Sequence, residues 1–223
     1  MKDSIMAIVA HADDEVLGCG GTLARLAAMG ERIHVVFMAD GVLSRKSFTP
    51  NQLNKRKEAA EKARRILGYE KGHFLDLPDN QMDQVPLLMI VQKLEALIKK
   101  YQPDTIFTHF HNDLNVDHRI TQQAVMTACR PLPGFSVKKI YGFEILSSTE
   151  WASPSETPFC PSFFMDIGPF LMKKIKALQA YSMEMRDPPH SRSLKNVEFL
   201  ARNRGHAMGL KAAEAFVVYR HIN

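Results

Sequence analysis

Residues 4–15, Ser-Ile-Met-Ala-Ile-Val-Ala-His-Ala-Asp-Asp-Glu, decide the fold. An apolar run over residues 5–10 stops abruptly at His11, Asp13, Asp14 and Glu15. The run reads as a strand over 4–10. Helical periodicity follows over 19–29 and ends at Gly30, a residue suited to a helix C-terminus. A β-rich stretch over 32–38 comes next, then an amphipathic helix over 51–67 that ends at Gly68. A strand is expected over 73–77, a helix over 85–100, a strand over 104–108 and a helix over 118–129. Short strands alternating with longer helices imply βαβ units and a parallel sheet. The last third is less regular, with strands expected over 138–144, 163–167 and 213–219 and helices over 169–181 and 193–203. The expected fold is therefore α/β, built on a parallel sheet, in one domain. A length of 223 residues suits one core of that kind.

Composition narrows the function. Hydrophobic residues make up 45% of the chain and charged residues 24%, ordinary values for a soluble globular protein. The opening apolar run is too short for a signal-peptide core or a membrane span, so a cytoplasmic protein is expected. Cys19, Cys129 and Cys160 are odd in number and far apart, which suggests neither a disulfide framework nor a zinc knuckle. The formal net charge of +5 hints at anionic partners. The densest basic stretch, over 55–65, is interrupted by Glu58 and Glu61 and reads as a solvated helix face, so nucleic acid is not an expected partner. The oligomeric state is left open, a homo-oligomer included.

The chemistry-bearing residues fall at strand ends, where open parallel sheets bind their ligands. One cluster is His11-Ala12-Asp13-Asp14-Glu15. The other follows the strand over 104–108 and reads His109-Phe110-His111-Asn112-Asp113-Leu114-Asn115-Val116-Asp117-His118. The first cluster alone accommodates two readings, helix capping and metal binding. The second favours a metal, because so many ionisable groups in one place need a partner. A catalytic zinc uses three protein ligands and keeps a position open, and His11, Asp14 and His118 can supply three. Asp13 is then left beside them, able to take a proton from an attacking water and pass it to a leaving nitrogen. Gly18-Cys19-Gly20-Gly21 resembles part of a dinucleotide fingerprint, but it lacks the full spacing, and Asp40 is the only candidate ribose ligand. Close helix–sheet packing is the expected role of these glycines. His34, His73, His190, His206 and His221 read as ordinary surface or core histidines.

At the two clusters the sequence resembles the LmbE-like, or PIG-L, family of zinc-dependent N-deacetylases. The family's AHPDDE-type motif stands here as Ala10-His11-Ala12-Asp13-Asp14-Glu15, and its second motif, ending in Asp-His, as residues 113–118. Gly18–Gly21, Ala39-Asp40-Gly41, Arg56-Lys57-Glu58, Leu75-Asp76-Leu77-Pro78-Asp79, Arg204-Gly205 and Ala213-Glu214-Ala215-Phe216 look like further family features. The resemblance implies zinc, or a similar divalent metal, on His11, Asp14 and His118, with Asp13 as general base and Asp117 orienting His118 or another group near the metal. It implies a Rossmann-like three-layer fold with a mostly parallel central sheet, and hydrolysis of the N-acetyl group of a glucosamine-type sugar or its conjugate. Arg56 and Asp79 are expected beside the substrate. Many members have a histidine where this chain has Asn115, whose amide can donate a hydrogen bond to an oxyanion but cannot protonate anything. The acid role then rests on Asp13, or on His111 entering from another direction. Arg56, with Arg202 and Arg204, would match an anionic group on the substrate; the alternative is that these arginines pair with neighbouring carboxylates. Two other classes stay open, a nucleotide-binding module and a non-catalytic sugar-binding member on the same fold.

Overall fold

The computed structural model describes residues 4–39, 50–153 and 157–223. Asp40 and Gly41 lie outside the described residues. The β1 strand (Ser4–Val9) leads into α1 (Asp14–Ala28), β2 (Arg32–Ala39), α2 (Pro50–Leu67), β3 (Lys71–Leu77) and α3 (Leu87–Tyr101). These are followed by β4 (Thr105–His109), α4 (Val116–Ala128), β5 (Lys139–Phe143), β6 (Phe163–Asp166), α5 (Leu171–Ala180), α6 (Leu194–His206) and β7 (Ala213–His221). The strands form one sheet in the order β3-β2-β1-β4-β5-β7-β6. The first five are parallel, and β7 runs antiparallel to both its neighbours. No helix among the described residues is long and apolar enough to cross a membrane.

Alternation along β1 builds the layers. Ile5, Ala7 and Val9 point into a core shared with α1, α2, α5 and α6. Met6 and Ile8 point into a second core under α3 and α4. Because both faces of β1 are covered, its sequence is an unbroken apolar run rather than an alternating one. The strand order reverses between β1 and β4, so the two polar clusters leave adjacent strands at the switch point, where such sheets open a ligand crevice.

The first helix differs from expectation. It begins at Asp14, not near residue 19, and the glycines lie inside it. A kink at Cys19 (φ −142°, ψ 18°) divides it, so the periodicity starting at residue 19 belongs to its second segment. That segment has its own cap: Glu214 of β7 accepts from Gly21 N at 2.9 Å and Thr22 N at 2.7 Å. Lys174 neutralises Glu214 at 2.5 Å and donates to Leu17 O. A side chain on Gly18 would run into the Phe143 ring, and one on Gly21 would lie 2.7 Å from Ile167. In an open helix, Gly→Ala stabilises by about 1 kcal/mol. Here the sign should reverse: Gly18→Ala is expected to destabilise by about 1–3 kcal/mol through overpacking. Its urea midpoint should fall; an unchanged or raised midpoint would mean the helix is free to shift away from the sheet.

Candidate active site

The two strand ends are fastened to each other first. Ala10 N, just past β1, donates to His109 Nε2 at 2.9 Å, at the end of β4. His11 N donates to Asp14 Oδ2 at 2.8 Å, which turns the chain tightly into α1. Between them Asp13 has φ 135°, a region that L-residues rarely occupy and that costs about 1–3 kcal/mol. Glu15 holds that conformation: its Oε2 accepts from Asp13 N at 3.0 Å, and its Oε1 accepts from Tyr181 OH at 2.7 Å. Burial pushes the Glu15 carboxyl up to about 8, against the lowering effect of the Tyr181 hydrogen bond.

Asp14 is the hub. Its Oδ2 lies 3.3 Å from His11 Nδ1 and 3.4 Å from His118 Nε2. All three residues are buried, and their donor atoms lie within 4.8 Å of one another. Charge-assisted hydrogen bonds are shorter, about 2.7–2.9 Å. By contrast, two ligands about 2.0–2.1 Å from a tetrahedral ion stand about 3.3 Å apart. The nitrogen–oxygen–nitrogen set therefore has the spacing of a group that could hold a metal ion. Each histidine is also fixed from behind, as metal ligands usually are. His11 Nε2 meets Asp117 Oδ2 at 3.0 Å and Asp79 Oδ1 at 3.3 Å. His118 Nδ1 meets Asp113 Oδ1 at 3.1 Å. Asp117 thus steadies His11 rather than His118, and it also accepts from Asn80 N and Met82 N. Asp113 is itself gripped by the hydroxyls of Ser148 and Thr149 and by Asn115 N.

The electrostatics follow from this packing. Burial works against a charge on His118, but the Asp14 and Asp113 carboxylates overcome it and raise its pKa to about 9. Burial likewise opposes charge on His11, and hydrogen bonds to Asp117, Asp14 and Asp79 outweigh it, leaving the pKa well above the usual imidazole range. A cation held by these nitrogens would therefore compete with protons, and acid conditions would favour the proton. Burial raises Asp13 to about 6, while Arg56 and Arg192 pull it back toward the ionised form. Its Oδ1 lies 3.3 Å from Arg56 Nη2 and its Oδ2 3.1 Å from Arg192 Nη1.

These side chains surround a cavity of about 150 Å3 lined by His11, Asp13, Asp14, Arg56, Asp79 and His118, with Asn80, Asn115, Glu184 and Arg192. Asn115 caps α4, its Oδ1 accepting from Asp117 N at 2.8 Å while its Nδ2 donates to Asn80 Oδ1 at 3.2 Å. Two expected substrate residues lie elsewhere. His111 is exposed, bonded through its ring and backbone to Tyr219 OH, because the chain turns outward after Phe110. Arg202 faces solvent on α6 and pairs with Glu198 one turn away. Arg204 pairs with Glu144, and Arg56 with Asp13 and Glu184, so all three arginines have carboxylate partners. Asn80, His109, Asp113, Glu184 and Arg192 contribute without an assigned role in the sequence reading. His109 and Asp113 stand inside the second cluster. Glu184 and Arg192 come from the irregular segment between α5 and α6, where no spacing or motif marks them. His109 is fully buried and stacks on His118 with centroids 4.0 Å apart.

A buried histidine–aspartate cluster of this kind, at the switch point of a Rossmann-like sheet, is the arrangement of an enzyme active site rather than of a structural core. Residues 6–129 match the family described as GlcNAc-PI de-N-acetylase (PIG-L), and the chain belongs to that family of deacetylases. An uncharacterized deacetylase of Escherichia coli, YaiS, is 33% identical over 171 residues, 74% of this chain and 83% of the relative. A 4-oxalmesaconate hydratase of Pseudomonas putida is 27% identical over 192 residues, covering 80% of this chain and 72% of the hydratase. In structure the chain is similar to an N,N'-diacetylchitobiose deacetylase from Pyrococcus horikoshii. The TM-score is 0.79 at 22% identity, over 98% of this chain and 84% of that one.

Proposed function

We propose that this enzyme hydrolyses the N-acetyl group of a small amino-sugar conjugate with a zinc or similar divalent ion held by His11, Asp14 and His118. The observation that carries the reading is the convergence of two imidazole nitrogens on Asp14 Oδ2 at 3.3 and 3.4 Å, with the Asp13 carboxylate in the same small cavity. A bound ion would supply Lewis acidity, making water nucleophilic near neutral pH and polarising the amide carbonyl. Asp13 takes the proton of the attacking water and returns it to the departing nitrogen. Arg56 and Arg192 aim its carboxylate from both sides. Asp117 and Asp113 hold the two histidines in register. Arg56 and Asp79 border the space left for the sugar; because Asp13 and Glu184 already balance Arg56, a neutral sugar is favoured over a phosphorylated one.

Asn115 supplies the oxyanion contact. With its Oδ1 committed to capping α4, its amide nitrogen is turned toward Asn80 and the cavity, with a second N–H to offer. Asn115→Ala should lower kcat about 10- to 1000-fold with little change in KM, and Asn115→His should restore part of the loss. A change confined to KM would reassign Asn115 to ground-state binding.

The hydratase relative favours a second reading, addition of water across an activated double bond by the same residues. One assay separates them. Zinc-loaded enzyme should release acetate from N-acetylglucosamine or its short oligomers, and a chelator should abolish the release. Water addition to an unsaturated dicarboxylate, with no acetate from any amide, would establish the second reading instead.

A further inference from the structure

We propose that Tyr181 is a positioning residue for the general base, acting on Asp13 through Glu15 and Glu184; this rests on the reading of Asp13 as proton acceptor given above. Tyr181 directly follows α5 and lies 166 residues from Glu15 along the chain. It reaches Asp13 by two routes. The first runs to the Asp13 backbone. Tyr181 OH donates to Glu15 Oε1 at 2.7 Å, and Glu15 Oε2 accepts from Asp13 N at 3.0 Å. The second runs to the Asp13 carboxylate. Tyr181 O accepts from Glu184 N at 2.8 Å, and Glu184 Oε1 lies 2.9 Å from Arg56 Nη1. Arg56 Nη2 then lies 3.3 Å from Asp13 Oδ1. The two routes meet at Tyr181 and close a ring. None of its members, Asp13, Glu15, Arg56, Tyr181 and Glu184, is more than 8% exposed.

Asp13 needs such a ring because its own conformation is unfavourable. At φ 135° and ψ −28° its backbone lies outside the regions that L-residues prefer. Its side chain makes no capping hydrogen bond to α1 that would hold it there. Its N–H is buried and must find an acceptor, which Glu15 supplies. Arg56 Nε donates to Ala12 O at 3.1 Å, so the peptide group entering Asp13 is held at both its carbonyl and its N–H. A long side chain such as Glu15 has many rotamers. The Tyr181 hydroxyl, carried on a ring packed in the core, selects the one that meets Asp13 N. Relaxation of the Asp13 backbone would displace its carboxylate, and a misplacement of about 1 Å can cost about 100-fold in rate.

Tyr69 shows a buried tyrosine without that connection. It packs in the same core and is just as buried, but its hydroxyl donates to Ala60 O of α2 at 3.4 Å. It therefore serves as the control for losing a hydroxyl from this core.

Tyr181→Phe removes the hydroxyl and keeps the ring. The assay uses zinc-loaded protein below its unfolding transition, with N-acetylglucosamine as the probe. In Tyr181→Phe kcat should fall about 10- to 100-fold while KM changes less than about twofold. Tyr69→Phe should keep kcat within about twofold of wild type. The decisive comparison is a double variant. In an Asp13→Asn background, Tyr181→Phe should lower the residual kcat by less than about twofold, because the base it positions is already gone. Hydrogen exchange at the Asp13 amide should also speed at least about tenfold in Tyr181→Phe, whatever the activity. The same fold loss in both backgrounds would make Tyr181 merely structural and overturn the proposal, while leaving Asp13 as the base. Full kcat in Tyr181→Phe, a loss confined to KM, or unchanged exchange at Asp13 would overturn it too. No acetate from wild type would refute hydrolysis itself, and the positioning role with it. Should Tyr181→Phe fail to fold, Glu184→Gln opens the ring from its other side. Its loss of kcat should likewise vanish in the Asp13→Asn background, and a loss that persists there would overturn the proposal.

Discussion

Asp13→Asn should lower kcat about 100- to 10,000-fold, the range for losing a general base, while the protein keeps its metal. The substitution preserves shape and removes the capacity to accept a proton. Asp13 is buried among charges, so its replacement also unbalances Arg56 and Arg192, which lie 3.3 and 3.1 Å from its oxygens. A fall in stability is therefore expected as well, and activity must be compared below the variant's unfolding transition. Near-normal turnover in a metal-loaded variant would move the base elsewhere. Glu15 is poorly placed for that role, since both its oxygens already hold Asp13 N and Tyr181 OH. Asp117 is occupied by His11, Asn80 and Met82.

A larger loss is expected from Asp14→Ala. Its Oδ2 accepts from His11 N and stands between His11 Nδ1 and His118 Nε2, with His109 Nε2 at 3.5 Å. Removing it deletes one ligand and leaves the imidazoles of a buried cluster without their shared anion. Metal content should fall to a small fraction, and turnover should fall by at least about 1000-fold, since the variant loses both the ion and the geometry that the ion requires. His11→Ala should behave similarly. Turnover close to wild type in either variant would separate the reaction from this cluster.

Much of this was legible in residues 4–15 and 104–118. An apolar run that stops at a polar cluster marks a buried parallel strand and the place where its ligand end lies, and two such runs place His11, Asp14 and His118 together. The parts that stayed hidden depend on backbone geometry and distant packing. The kink at Cys19 and the left-handed Asp13 move the start of α1 forward to Asp14, which no periodicity signals. Glu184 and Arg192 reach the cavity from an irregular segment more than 170 residues beyond β1, and the packing of α5 against α1 and α2, with α6 against α5, brings them there. His111 was misplaced because alternation along a strand end does not say which way the following loop turns. Arg202 was suggested by net charge and by its place near the last strand, and its partner Glu198 sits one helical turn away.

The central claim is that His11, Asp14 and His118 hold a catalytic metal while Asp13 beside them does not. Elemental analysis of wild type, Asp14→Ala and Asp13→Asn, each purified without chelator and equilibrated with zinc, tests it most directly. The account predicts about one zinc per chain in wild type and in Asp13→Asn, and close to none in Asp14→Ala. A full equivalent of zinc in Asp14→Ala, or none in wild type, would contradict it.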